Sequence, residues 1–127
     1  MNNKLVKIPG PDHPITIEAA EARVKVRVAG KTIADSVRAL VLREANYPPV
    51  YYLPAADVDA SQLVASSHTT YCPYKGDCSY HHIAAGGDRS QNAVWSYRAP
   101  YDAVVAIAGH FAFYPDRVGA IEVGEAA

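Results

Sequence analysis

The segment Arg23-Val24-Lys25-Val26-Arg27-Val28 alternates basic and β-branched residues without a break. A period of two places its three valines on one face and its three cations on the other. Such a segment reads as a half-exposed strand of an antiparallel sheet, dry on one side and wet on the other. Ala29-Gly30-Lys31 then reads as a hairpin turn into a strand at Thr32-Ile33-Ala34. Residues 36–44 continue as a further strand. Their Ala, Leu, Arg and Glu would also suit a helix, but a short connection precedes them and Pro48-Pro49 breaks the chain soon after, which favours strand.

Val50-Tyr51-Tyr52-Leu53 is a short strand stopped by Pro54, and residues 55–65 read as one short helix with Asp57 and Asp59 as candidate N-caps. Three strands follow, near 69–72, 79–84 and 93–97, joined by the 74–77 turn and the Gly86-Gly87-Asp88 loop. Pro100-Tyr101-Asp102 starts a second short helix, with Asp102 as its cap and Gly109 past its end. Strands at 110–114 and 121–123 complete the chain. With no repeat, low-complexity tract or linker, the whole of 1–127 is expected to form a single mainly-β domain. Its expected architecture is two small antiparallel sheets packed at an angle, with one or two short helices.

The formal net charge is -1 over 127 residues, so no basic field exists to gather nucleic acid or an anionic membrane, and neither is expected as a partner. Residues 103–108 are apolar but far too few to span a bilayer, and Met1-Asn2-Asn3-Lys4-Leu5-Val6-Lys7 lacks the apolar run of an export signal. A cytoplasmic location is expected, with Cys72 and Cys78 as reduced thiols.

The densest chemistry lies in Thr69-Thr70-Tyr71-Cys72-Pro73-Tyr74-Lys75-Gly76. Pro73 holds its own φ and disfavours helix at Cys72, while Gly76 permits the positive φ of a tight reversal, so the thiol, the ammonium and two phenols sit on a pinned turn. A cation near Cys72 favours its thiolate, the nucleophilic form, and His68 would share the face of Cys72 on a regular strand. The competing role for Cys72 is a half-buried packing thiol. Lys75 serves equally as a contact for an anionic ligand or as a solvated turn residue. Nine tyrosines and one tryptophan suggest an aromatic core or a pocket that stacks flat ligands. Glu44 and Arg38 suit an exposed ion pair or, for Glu44, a general base.

The blocks Ala34-Asp35-Ser36, Glu44, Tyr51-Tyr52-Leu53-Pro54-Ala55-Ala56-Asp57-Val58, Thr70-Tyr71-Cys72-Pro73-Tyr74-Lys75-Gly76, Ala93-Val94-Trp95-Ser96-Tyr97-Arg98-Ala99-Pro100 and Phe113-Tyr114 resemble the family called Domain of Unknown Function 427 over nearly the whole chain. The resemblance implies a β-tent-like fold, similar to Yippee-type and thalidomide-binding domains, and no established activity. The family also carries a nucleotidyltransferase label, for which this chain offers only Asp57-Val58-Asp59. Zinc members of the fold use paired Cys-x-x-Cys knuckles, absent here, so no metal and no cofactor is expected.

The expected role is binding of a small flat or anionic ligand in an aromatic-lined pocket between the two sheets, through Tyr52, Asp57, Thr70, Tyr74, Lys75, Trp95 and Tyr97. The alternatives are a group-transfer enzyme with Cys72 as nucleophile, assisted by Lys75 and Glu44, and a protein-interaction module.

Overall fold

The computed structural model describes residues 4–125; Met1–Asn3, part of the segment read for an export signal, lie outside it. The Arg-Val-Lys-Val-Arg-Val alternation folds as β2 (Arg23–Val28), with all three valines buried. It pairs antiparallel with β3 (Lys31–Ser36) and, on its other side, with β10 (Ala120–Gly124), giving a three-stranded sheet in the order β10-β2-β3. The β2–β3 turn has just two residues, Ala29 (φ 50°) and Gly30 (φ 80°), the paired positive φ values that match the twist of a tight hairpin. Further along, Val26 pairs with Ala34 and Arg27 with Thr32, which leaves Ile33 as a bulge. The bulge explains why Ile33 and Ala34, though consecutive, are both buried.

The remaining strands form one seven-stranded antiparallel sheet. They are β1 (Ile15–Ala19), β4 (Leu40–Glu44), β5 (Val50–Pro54), β6 (Leu63–Cys72), β7 (Gly76–Ile83), β8 (Val94–Ser96) and β9 (His110–Phe113), in the spatial order β1-β4-β5-β9-β8-β7-β6. The fold is mainly β with two antiparallel sheets, as the alternation implies, but the sheets are unequal. The strand expected over 36–44 begins only at Leu40, because Ser36 still belongs to β3. Strand β1 was not expected, although Ile15-Thr16-Ile17-Glu18 carries a short alternation of its own.

The helix expected over 55–65 is instead two 3-10 turns, Ala55–Asp57 and Ala60–Gln62, and the chain is already strand from Leu63. Between the turns Val58 is extended and bridges Ala34, while the Asp59 amide donates to the Ile33 carbonyl at 2.8 Å. Pairing to the small sheet therefore interrupts the helix. The second expected helix is a 3-10 stretch, Asp102–Ile107, with Tyr101 rather than Asp102 at the cap position. Gly109 follows at φ 73°, as expected.

Two cores result. Val24, Val26, Val28 and Ile33 of the small sheet pack with Leu53, Ile83, Val94 and Phe113 of the large one. Their chain neighbours Tyr52, Ala112 and Trp95 face the other way and join Leu42, Cys78, Tyr80, Tyr97, Val104 and Ile107 in a second cluster. Each central strand of the large sheet thus feeds both cores, and the second core carries the phenols.

Ala29 holds a left-handed conformation that costs a residue with a Cβ about 1–2 kcal/mol. Ala29→Gly should therefore raise stability by about 1 kcal/mol or less, after its larger unfolded-state entropy is counted. Denaturant melts with an unchanged m value would show it, and a loss of stability would contradict the turn assignment.

Candidate functional site

The β6–β7 hairpin closes at the Cys72–Gly76 pair, leaving Pro73, Tyr74 and Lys75 as its loop. The Lys75 amide donates to the Cys72 carbonyl at 3.2 Å, and Gly76 follows at φ 109°. Such a loop, a turn followed by a positive-φ glycine, is a standard three-residue reversal. The Tyr101 amide donates to the Lys75 carbonyl at 3.0 Å, which ties the loop down against the chain entering the 102–107 turn. Lys75 is consequently only 7% exposed, an uncommon state for a lysine in a hairpin loop.

Burial at that level demands a partner. Lys75 Nζ donates to Glu44 Oε1, and the other carboxylate oxygen, Oε2, lies 2.7 Å from His13 Nε2. The β1–β4 register sets Ile15 opposite Glu44, so His13, two residues earlier, reaches the carboxylate. Its ring stacks on Tyr74 with centroids 4.1 Å apart and planes 5° from parallel. Burial opposes ionisation of Glu44, but the hydrogen bonds from Lys75 and His13 outweigh it and hold the carboxyl below its ordinary value.

This pair forms the polar end of a cavity of about 190 Å³. Its walls are Leu42, Val50 and five aromatic rings, from Tyr52, Tyr80, Trp95, Tyr97 and Tyr114. Trp95 Nε1 donates to the Tyr52 hydroxyl at 3.2 Å across the small Ala112, which pairs with Trp95 on β9, and the Trp95 and Tyr114 rings meet at 4.4 Å. Burial pushes the Tyr52, Tyr80 and Tyr97 phenols above their ordinary value, so they remain protonated and act as neutral hydrogen-bonding groups rather than bases. The Cys78 thiol beneath them is likewise pushed up by burial.

Five of the expected site residues thus meet in one cavity: Glu44, Tyr52, Lys75, Trp95 and Tyr97. Thr70 is exposed and touches the site indirectly, its hydroxyl 2.9 Å from that of Tyr80. Tyr74 supports the site from behind, through His13. Cys72 lies beside the cavity, its Sγ 3.8 Å from Lys75 Nζ. The nearer anion for that ammonium is Glu44, so the thiol and lysine are not an isolated pair.

Asp57 is a correction. It neither caps a helix nor lines the aromatic cavity, and instead accepts hydrogen bonds from Ser36 Oγ at 2.6 Å and the Arg38 guanidinium at 3.0 Å. Arg38 is thereby withdrawn from Glu44, so the pair expected between them does not form. Asp59 caps its own turn through the Ser61 amide. The register of β6 shifts between Ala65 and Thr69, so the strand is not regular, and His68 packs on Tyr80 with centroids 4.6 Å apart.

The position of the cavity also differs from expectation. Every lining residue comes from the seven-stranded sheet or the turns beside it, so the cavity lies on one sheet's second face rather than between the two sheets. Leu42, Val50, Tyr80, Tyr114 and His13 were missed. Leu42 and Val50 share strand parity with Glu44 and Tyr52, a signal that was available; Tyr80 enters only through its cross-strand pairing with Trp95, and Tyr114 and His13 carry no such signal. Among the described residues, no three His, Cys, Asp or Glu side chains gather as a metal site requires.

Fold and site together define a small two-sheet β domain whose larger sheet carries an aromatic cavity closed at one end by a lysine–glutamate pair. The family model described as Domain of unknown function (DUF427) matches residues 16–124, and the chain belongs to that family. The matched span contains every residue of the cavity wall and leaves out His13. No curated protein matches the chain by sequence.

Replacing one member of a buried ion pair strands the other, so Glu44→Gln should destabilise by about 3 kcal/mol. Because the folded-state pKa of Glu44 lies below its ordinary value of 4.5, the stabilisation it gives is fully present above that pH. It fades as pH falls through the lower, folded value. Asp35 and Asp57 are shifted the same way and contribute with the same sign. The difference between wild type and Glu44→Gln in urea melts should therefore shrink below pH 4.5. A pH-independent difference would mean that the pair is not what the carboxylate contributes. For the thiols, half-buried Cys72 should react with iodoacetamide in the native protein while fully buried Cys78 reacts only on unfolding. Peptide mass spectrometry separates the two, and equal protection of both would place Cys72 in the core.

Proposed function

We propose that this domain binds a small, flat, uncharged molecule whose edge carries a hydrogen-bond donor and acceptor, held in the cavity with its ring among the aromatic walls. The observation that carries this reading is the buried Lys75–Glu44 pair at one end of an aromatic cavity. Each charge is matched by the other, so a charged ligand would gain little net attraction and would have to give up its hydration. A hydroxyl or amide edge, by contrast, can give a hydrogen to the carboxylate and accept one from the ammonium or a phenol. This narrows the flat or anionic class expected from the aromatic content and Lys75 to its flat, neutral part. A volume of about 190 Å³ suits a ligand of one ring rather than a dinucleotide.

Trp95 is the chain's single tryptophan and forms part of the wall, so its emission reports occupancy directly. Phenol should change that emission saturably, with a dissociation constant of about 1 mM, and raise the melting temperature. Benzoate should bind at least tenfold more weakly. Tyr97→Phe, which removes only a hydroxyl, should weaken phenol binding by about twofold to tenfold. Neither probe perturbing Trp95, or benzoate binding more tightly than phenol, would overturn the reading.

A further inference from the structure

Beside the cavity lies a larger apolar groove, of about 660 Å³, in the space between the two sheets. Val26, Ile121 and Val123 of the small sheet form one wall, and Leu53 and Phe113 of the large sheet face them. Among the described residues, no charged one lines it. Val50, Trp95 and Tyr114 line both the groove and the aromatic cavity, so the two spaces have these three residues as a common wall.

The strand pairing explains how a groove on one face of a sheet can share a wall with a cavity on the other. β5 pairs with β9 only at Leu53–Phe111 and Pro54–His110, and its first three residues pair with β4 instead. Tyr114, just past β9, stays with the β8 side through its amide, which donates to the Ala93 carbonyl at 2.9 Å. The β5–β9 ladder thus stops short of Val50 and Tyr114, and the tilted Trp95–Tyr114 ring pair, 4.4 Å between centroids, belongs to the wall common to both spaces. Side chains that swing about χ1 and χ2 can open such a partition where a hydrogen-bonded ladder cannot.

We infer that cavity and groove are two parts of one elongated site for an amphiphile, with a neutral hydroxylated ring at Glu44 and Lys75 and a hydrocarbon tail lying past Trp95 between the sheets. The inference rests on the proposed function for its polar end and adds the ligand's second half. The groove's largely apolar lining rewards buried hydrocarbon at about 0.8 kcal/mol per methylene, which is roughly a threefold to fourfold gain in affinity.

The test is a series of 4-alkylphenols (ethyl, butyl, hexyl) titrated against the full chain, with Trp95 emission and calorimetry as readouts. Affinity should rise about threefold to fourfold per methylene relative to phenol. Val123 is 47% exposed, so Val123→Arg can be made without disturbing the core, and it should collapse the hexylphenol-to-phenol affinity ratio to near one. Nuclear Overhauser contacts from the hexyl methyl to Phe113 and Ile121 provide a readout that needs no variant. Phenol that binds with no gain along the series, or a tail that shows no contact with those two residues, would overturn the continuous site while leaving the polar end intact. Alkylphenols that bind by chain length while phenol itself does not, and that Glu44→Gln leaves unaffected, would instead identify an independent apolar site and remove the polar end as well.

Discussion

The contact between Lys75 and Glu44 draws two sides of the open larger sheet together. Three strands lie between β4, which carries Glu44, and β7, which Lys75 precedes, so the two side chains meet only because the sheet curls enough to bring its opposite sides together. Backbone and ring contacts follow the same line of closure: the Lys7 amide donates to the Pro73 carbonyl at 2.9 Å, and His13 stacks on Tyr74. An ion pair at this seam is costly to desolvate, and it is sustained by the additional bond from His13 to the second carboxylate oxygen. Burial in the concavity that results keeps the phenols protonated.

That closure divides labour between the two faces of one sheet. Toward the small sheet, Leu53, Ile83, Val94 and Phe113 meet valines and isoleucine in a core without polar atoms in its side chains. Toward the concavity, Tyr52, Tyr80, Tyr97 and Trp95 contribute comparable apolar area, but each brings a polar atom that must be satisfied. Some of these atoms satisfy one another, as in the Trp95–Tyr52 and Thr70–Tyr80 bonds. On the function proposed above, that wall of buried, neutral donors and acceptors around a matched charge pair would meet the polar edge of an otherwise apolar molecule.

The legible parts of the sequence were those where a short-range rule acts alone. The valine alternation of β2, the Ala29-Gly30 reversal and the Cys72-Pro73-Tyr74-Lys75-Gly76 turn all follow from side-chain parity or from the φ values that particular residues allow. The connector after Pro54 departs from the expected helix because the helix-cap signal of Asp57 and Asp59 holds only while no other partner competes. Val58 is drawn into pairing with Ala34, and Asp57 finds Ser36 and Arg38. For Glu44 the sequence suggests a pair with nearby Arg38 or a general-base role, because nothing local points to a lysine 31 residues away.

The sequence alone therefore determined the class of fold and the pinned turn, because each depends on periodicity or local backbone sterics, and it supplied five of the residues that line the cavity. Tertiary structure alone decided that Lys75 is buried rather than solvated, that its anion is Glu44, and that His13 completes the pair. It also decided that the cavity sits on the second face of one sheet instead of between two. Those outcomes depend on how far a sheet curls and on where the β5–β9 ladder stops. Both are set by the packing of both cores at once, a sum of many contacts distant in sequence that no window along the chain contains.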